Sequence, residues 1–133
     1  GSTDYSLEVT QGLAAPELLI SVGRVREMNT CVAVSGGLRI GAAATLTEAT
    51  PLLLQHWSSL EELLLRFGSP QIRNQATIGG NVANASPVGD TPPVLLALDA
   101  TVELRKGVAT RTLPIREFFH SYKKTALESG EFG

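Results

Sequence analysis

The residues best suited to bind a ligand lie in the segment QATIGGNVANASPVGD, from Gln75 to Asp90, half of whose 16 residues are Gly, Ala, Ser or Thr. Gly79 and Gly80 allow the backbone to approach a ligand closely because they carry no side chain. Successive N–H groups in such a turn form an anion-binding concavity. Asp90 adds a carboxylate that can accept hydrogen bonds from ribose hydroxyls. One interpretation is therefore a site for the pyrophosphate of a nucleotide.

A second interpretation of this segment is purely architectural. Its glycine spacing matches neither GxGxxG nor GxxxxGK[ST], the two common phosphate-binding patterns. Glycine is also required wherever two packed elements cross so closely that a side chain would clash. The residues alone leave both interpretations open.

The remaining reactive side chains form no recognisable catalytic or metal-binding pattern. His56 and His120 have no partner at ligand spacing, and no GxSxG serine motif occurs. Cys31 is the only cysteine, which excludes an internal disulfide and a cysteine-built metal or iron–sulfur site. We therefore predict neither catalytic residues nor a metal site in this chain.

Length and composition are those of an ordinary globular domain, and we predict one domain over residues 1–133. Apolar residues make up 43%, charged residues 18%, and the formal net charge is −2. Basic residues are scattered, so a nucleic-acid-binding surface is not expected. No apolar run has the length of a membrane span, and no signal peptide is recognised, which predicts a cytoplasmic location.

In the first half of the chain, the pattern predicts strands followed by helices. The run LLISV (Leu18–Val22) is apolar and β-branched, which predicts a buried strand. Two further strands flank Gly36 and Gly37 as a hairpin. Two helices are expected over Thr47–His56 and Ser59–Phe67, each started by a capping box and the second ended by a left-handed glycine. Pro51 argues for a late start of the first helix.

In the second half, we predict a short helix capped by Thr91 with Pro92 at its first position. A second hairpin follows, turning at Lys106 and Gly107, and then a final helical turn in PIREFF. Hairpins mixed with helices in irregular order favour an α+β fold with an antiparallel or mixed sheet and flanking helices.

The longest motif, FGSPQIRNQATIGGNVANASPVGDTPPVLLALDA (67–100), resembles the FAD-binding domain of the molybdenum hydroxylases. The segments GSTDYSLEV, GLRIGAAATLTEA and FFHSYKKTAL resemble the same family at the same relative places, so the resemblance covers the whole chain. Within the family, the chain is most like the flavin-carrying small subunits of bacterial xanthine dehydrogenase.

The resemblance implies a fold and a set of cofactor-binding residues. The fold is the larger subdomain of the vanillyl-alcohol-oxidase-type FAD-binding fold, here without its preceding small subdomain and its following C-terminal domain. FAD would lie extended, with an apolar flavin contact at Phe67 and an acidic ligand at Asp90. The first phosphate loop would comprise Gly1, Ser2, Thr3, Asp4 and Tyr5, and the second Thr77, Ile78, Gly79, Gly80 and Asn81.

The resemblance also implies a function and partners. In such an enzyme, electrons pass from a molybdopterin centre through 2Fe–2S clusters to FAD and then to NAD. The iron–sulfur domain and the molybdopterin-binding subunit would be partners of this chain, which alone would be inactive. Three alternatives remain: the flavin subunit of a carbon monoxide, nicotinate or aldehyde dehydrogenase, a module with only a structural or docking role, and an enolpyruvyl-sugar reductase, whose proton-donating Ser and Glu have no match here.

Overall fold

Helices and strands follow one another in irregular order along residues 1–132, which are the residues described by the computed structural model. The helices are α1 (Tyr5–Thr10), α2 (Leu46–His56), α3 (Glu61–Arg66), α4 (Pro70–Arg73), α5 (Ile78–Asn84), α6 (Thr91–Ala97) and α7 (Ile115–Phe118). The strands are β1 (Cys31–Val34), β2 (Gly37–Ile40), β3 (Thr101–Lys106), β4 (Ala109–Pro114), β5 (Phe119–Ser121) and β6 (Lys124–Thr125). Short 3-10 turns span Arg26–Asn29 and Ser58–Leu60.

The strands pair with their neighbours in sequence as three separate antiparallel ribbons, β1–β2, β3–β4 and β5–β6. This confirms the predicted α+β class. Within residues 1–132 every ribbon is antiparallel, so the mixed option is not realised. The chain divides into two compact units, the first comprising Gly1–Gly80 and the second beginning at Asn81.

Both predicted hairpins are confirmed, and each turns on a glycine in the left-handed region. Gly36 has φ +83° between β1 and β2, and Gly107 has φ +59° between β3 and β4. Only glycine adopts this conformation without steric cost. The turn residues therefore determine the hairpins locally.

Helix α2 begins with the capping box that was predicted, but its other sequence signals were partly misread. The Thr45 hydroxyl accepts the Glu48 N–H at 3.2 Å, and the Glu48 carboxylate accepts the Thr45 N–H at 2.8 Å. The helix starts at Leu46, so exposed Pro51 lies in its second turn rather than its first. The second predicted box, at Ser58, is replaced by a 3-10 turn, and α3 starts without a side-chain cap.

The prediction of a buried strand at Leu18–Val22 is wrong. The segment carries no strand, and the side chains of Leu18 and Ile20 are 74% and 78% exposed. A strand needs a hydrogen-bonding partner, and no neighbouring turn folds another strand back onto this run.

The second unit has its own apolar core, formed by one residue from α5, one from β3 and two from α7. These are Val82, Leu104, Ile115 and Phe118, each at most 6% exposed. Helix α6 begins one residue earlier than predicted, at Thr91, so the N-cap position belongs to Asp90 and Pro92 is the second helical residue.

An ion pair fastens the end of the described chain to the β3–β4 hairpin. The Arg111 guanidinium donates to both carboxylate oxygens of Glu131, each at 2.7 Å. These bonds, with one from the Glu128 N–H, lower the pKa of Glu131 to about 2. Arg105 and Phe132 form an isolated antiparallel bridge beside this pair.

Among residues 1–132, no helix is long and apolar enough to cross a membrane. The same residues contain no group of three or more His, Cys, Asp or Glu side chains that could hold a metal ion.

Candidate functional site

Thr77 organises the turn that carries the predicted second phosphate loop. Its side chain is buried, and its hydroxyl accepts the Gly80 N–H at 2.9 Å, which is the arrangement of a helix N-cap. The first N–H groups of a helix have no partner within that helix. Since Gly80 is exposed, the start of α5 presents backbone donors beside an open surface.

The two adjacent glycines of this turn have different roles. A Cβ at Gly79 would overlap the Cβ and backbone of Ala42, so this glycine is required by packing within the first unit. A Cβ at Gly80 would meet only the Thr77 hydroxyl oxygen, at 2.7 Å. Each interpretation raised by the sequence therefore fits one glycine: close packing at Gly79 and an open approach at Gly80.

The predicted first phosphate loop lies beside the second. A Cβ on Gly1 would lie 3.6 Å from the Thr77 hydroxyl oxygen. Ser2 has φ +89°, and its carbonyl accepts the backbone N–H and the hydroxyl of Ser6, at 2.8 and 2.7 Å. Thr3 is half-buried, and α1 starts at Tyr5. The fold thus brings together two segments that are more than 70 residues apart in the sequence.

A backbone bridge fixes the direction in which α5 starts. Thr45 and Thr77 form an isolated antiparallel bridge, and the Leu46 N–H donates to the Ala76 carbonyl at 2.9 Å. The starts of α2 and α5 are therefore side by side. The N–H and hydroxyl of Thr45, which cap α2, also lower the pKa of Glu48. Sequence reasoning identified Thr45 only as a cap and missed its link to the phosphate loop.

Phe67 lies directly after α3 and is half-buried. Its carbonyl accepts a hydrogen bond from Nη1 of Arg73, at 3.0 Å. Arg73 was part of the motif IRNQATIGGN but was given no role from sequence. A long side chain that donates to backbone carbonyls has no partner residues of a particular type or spacing. No sequence pattern could therefore have identified Arg73.

Two predicted ligands belong to the second unit. The Asn81 side-chain carbonyl accepts the hydroxyl of Thr91 at 2.6 Å, so this oxygen serves the fold and the amide N–H groups are the part suited to a ligand. Asp90 is exposed at the N-cap position of α6, but its carboxylate makes no capping hydrogen bond. It therefore has the properties expected of an acceptor for ligand hydroxyls.

The donors fit a diphosphate that is bound without basic side chains. None of the twelve predicted FAD residues is Lys or Arg. The negative charge would be met by backbone N–H groups and by hydroxyls, which together form a neutral donor set. The two aspartates in the set suit hydroxyl groups rather than phosphate oxygens. The donors of the first unit thus match the chemistry of a pyrophosphate, and an exposed carboxylate such as Asp90 matches that of ribityl or ribose hydroxyls.

Comparison with known families agrees with this chemistry. The family model described as "FAD binding domain in molybdopterin dehydrogenase" matches residues 1–132. The chain belongs to this family, the FAD-binding domains of the molybdenum hydroxylases. FAD is the cofactor of the family, and its members are parts of oxidoreductases.

Individual relatives give the same result. The chain is 33% identical to the nicotinate dehydrogenase FAD-subunit of Eubacterium barkeri and 30% identical to a putative xanthine dehydrogenase FAD-binding subunit of Escherichia coli. Each match covers 98% of this chain and 46% of the relative, so the chain spans about half the length of these relatives. Carbon monoxide dehydrogenase from Hydrogenophaga pseudoflava superposes with a TM-score of 0.89 at 28% identity, over 98% of this chain and 46% of that one.

Proposed function

We propose that this chain holds FAD for electron transfer in a xanthine-dehydrogenase-type molybdenum hydroxylase, where FAD receives electrons from 2Fe–2S clusters and passes them to NAD. The observation that carries this proposal is the proximity of Gly1 to Thr77, beside exposed Gly80, where a Cβ on Gly1 would lie 3.6 Å from the Thr77 hydroxyl oxygen, in a chain matched by the family over residues 1–132. FAD supplies the redox chemistry, and the protein binds, orients and shields it.

Each predicted residue then has a specific role in the proposal. Backbone N–H groups of Thr77, Ile78 and Gly79 donate to the pyrophosphate oxygens, assisted by the hydroxyls of Ser2 and Thr3, while the Gly80 N–H is bonded to the Thr77 hydroxyl and Gly80 leaves the approach open. Phe67 packs against the flavin ring. Asp90 accepts a hydrogen bond from a cofactor hydroxyl. No residue of this chain is assigned an acid–base or covalent role.

The proposed partners are an iron–sulfur domain and a molybdopterin-binding subunit, and the proposed location is the cytoplasm. Support comes from the names of the relatives, which describe FAD subunits of dehydrogenases. Because the chain spans about half of these relatives, we expect that residues 1–133 alone do not reduce NAD. They form one domain whose two phosphate loops bind FAD, and further protein is needed for NAD reduction.

A nicotinate-type hydroxylase is the second candidate, because the relative from Eubacterium barkeri is 33% identical and the relative from Escherichia coli 30%. The substrate of such an enzyme would bind to the molybdenum subunit, so this chain offers no residues to choose between them. The flavin role tested below is common to both candidates.

The experiment is a fluorescence titration of FAD into the 133-residue chain and its Gly80→Val variant. We expect saturable binding by the parent chain and none by the variant, because the valine side chain would displace the Thr77 hydroxyl that caps α5 and block the approach to the α5 donors. Gly37→Val is the matched control, since a Cβ at Gly37 meets nothing within 4 Å. Circular dichroism verifies that all three chains are folded.

Two outcomes would contradict the proposal. A folded parent chain that does not bind FAD would leave a structural or docking role as the better description. Unchanged binding by Gly80→Val would remove the start of α5 from the site.

Asp90→Ala tests the hydroxyl contact separately. We expect a loss of about 1–3 kcal/mol in FAD-binding free energy, the scale of a hydrogen bond to a charged group. Glu117→Ala, at an exposed carboxylate, is the control.

A further inference from the structure

One nitrogen of Arg73 holds three backbone carbonyls at the end of α3. Nη1 donates to the carbonyl of Leu65 at 3.3 Å, that of Phe67 at 3.0 Å and that of Gly68 at 2.9 Å. The last carbonyls of a helix have no intrahelical partner, and a cation there also interacts favourably with the helix dipole. A single guanidinium therefore ends α3 and fixes the two residues that follow it.

The turn between α3 and α4 leaves little freedom at Gly68. Its φ is +52°, and a Cβ there would lie 3.1 Å from Ile72. Ser69 caps α4 by accepting the Ile72 N–H at 3.2 Å, and its carbonyl accepts the Arg73 N–H at 2.9 Å. Arg73 is thus anchored through its own backbone, and its side chain reaches back to the Phe67–Gly68 peptide.

We propose that Arg73 is a positioning residue that aims the Phe67 ring at the flavin without touching the cofactor itself. This inference rests on the proposed function, in which Phe67 packs against the flavin ring. Phe67 has extended backbone, with φ −66° and ψ 100°, directly after a helix. Without the Arg73 bonds to Phe67 and Gly68, that backbone could rejoin the helix or move outward, and the ring would move with it.

The inference separates the two ends of the cofactor. The pyrophosphate is assigned to Thr77–Gly80, whereas Arg73 acts only through Phe67 on the flavin ring. Loss of Arg73 should therefore lower the affinity for FAD but leave unchanged the affinity for ADP, which has the diphosphate but no flavin. Gly80→Val should lower the affinity for both ligands.

The test measures FAD affinity by fluorescence and ADP affinity by displacement of FAD in the 133-residue chain. For Arg73→Met we expect about tenfold weaker FAD binding, the scale of one lost hydrogen bond to a charged group, and unchanged ADP binding. Arg73→Lys should restore part of the FAD affinity because an ammonium can also donate to carbonyls. Arg66→Met is the control, since Arg66 is exposed and pairs with Glu62 on the same helix.

A double-variant cycle with Phe67→Ala makes the test independent of ADP. If Arg73 acts through Phe67, the Phe67→Ala/Arg73→Met double variant binds FAD no more weakly than Phe67→Ala alone. Additive losses, equal losses of FAD and ADP affinity, or unchanged FAD binding by Arg73→Met would each overturn the inference. If Arg73→Met does not fold, the cycle is measured with Arg73→Lys.

The result also distinguishes this inference from the proposed function. A parent chain that binds FAD, with an Arg73 variant that behaves like the parent, contradicts only the role of Arg73. A folded parent chain that binds no FAD contradicts the proposed function and, with it, the role of Arg73.

Discussion

The segments Leu18–Val22 and Thr101–Arg105 were both predicted to be strands, and only the second is one, as β3 (Thr101–Lys106). LLISV is the more apolar of the two and has no charge, yet it is exposed and unpaired by any strand in residues 1–132. TVELRK has three charged residues and forms β3, with Leu104 only 2% exposed. Apolar composition therefore did not decide which segment became a buried strand.

The difference lies in how far away each partner strand is. β3 turns at Gly107 and pairs at once with β4, from Lys106 with Ala109 to Thr101 with Pro114. LLISV is followed by a turn and a 3-10 segment, neither of which returns the chain alongside it. A partner close in sequence costs little loop-closure entropy, whereas a distant one must be supplied by the rest of the fold.

The largest effect is expected from a matched pair of leucine substitutions. Leu104→Ala should destabilise the chain by about 2–5 kcal/mol, because it leaves a cavity in the core of the second unit. Leu19→Ala, at a side chain that is 67% exposed, should change the free energy of unfolding by no more than about 0.5 kcal/mol. Urea denaturation followed by circular dichroism measures both. Equal effects would mean that LLISV is buried in the folded chain.

A smaller effect is expected from breaking the turn that gives β3 its partner. Gly107→Ala forces a side chain into the left-handed region at φ +59°, which costs about 1–2 kcal/mol. A Cβ there meets nothing within 4 Å, so the loss isolates the backbone term. Gly37→Ala is the control, with an equally open Cβ position and no positive φ. If Gly107→Ala left the free energy of unfolding unchanged, the strand pairing would not depend on this glycine.

Helix α2 shows that the first unit also contains locally determined structure. Thr45→Val removes the hydroxyl of the capping box and should cost about 1 kcal/mol at neutral pH. The folded-state pKa of Glu48 is lowered by Thr45, so its contribution is complete above the unfolded-state pKa and is lost as the pH falls through the folded value. Thr45→Val removes only the hydroxyl bond to the carboxylate, because the N–H of residue 45 still donates to Glu48. The difference in unfolding free energy between parent and variant, measured across acidic pH, should therefore narrow, without closing, as the pH falls through the folded-state pKa, and a constant difference would contradict this account.

The smallest effect on stability is expected from a charge placed in LLISV. Ile20→Lys should leave the free energy of unfolding within about 0.5 kcal/mol of the parent, because the Ile20 side chain is already 78% exposed. It should also reduce any concentration-dependent self-association, which sedimentation velocity measures. Val108→Lys, at an isolated side chain that is 98% exposed, is the control. A large loss of stability would mean that the Ile20 side chain is packed against other residues rather than exposed.

Features with a local cause could be predicted from the sequence. The hairpins at Gly36 and Gly107 and the capping box at Thr45 each depend on residues within a few positions of one another. The boundary at Asp90 was missed by one residue because Thr91 is an equally good cap, and its hydroxyl is instead bonded to Asn81. Tertiary contacts decide which of two suitable residues, Asp90 or Thr91, takes the N-cap position, and the local sequence does not reveal those contacts.

The candidate site divides in the same way. The glycines at 79 and 80 were recognisable, but their separate roles depend on Ala42, which is 37 positions before Gly79 in the sequence. That the segment starting at Gly1 shares a ligand with the segment at Thr77 was implied only by resemblance. Arg73 was not identified because its partners are backbone carbonyls. Every residue carries one, so no residue type in the sequence marks these partners.

The donor set proposed around Gly80 contains no basic side chain, and this has a consequence for how the cofactor would associate and dissociate. Phosphate sites built from Lys or Arg attract an anion over a Debye length, about 8–10 Å near physiological ionic strength, and lose affinity as salt is added. Backbone dipoles act only at contact, and this chain carries a net charge of −2. FAD would therefore arrive without electrostatic steering, and tight binding would depend on slow release that is almost insensitive to salt.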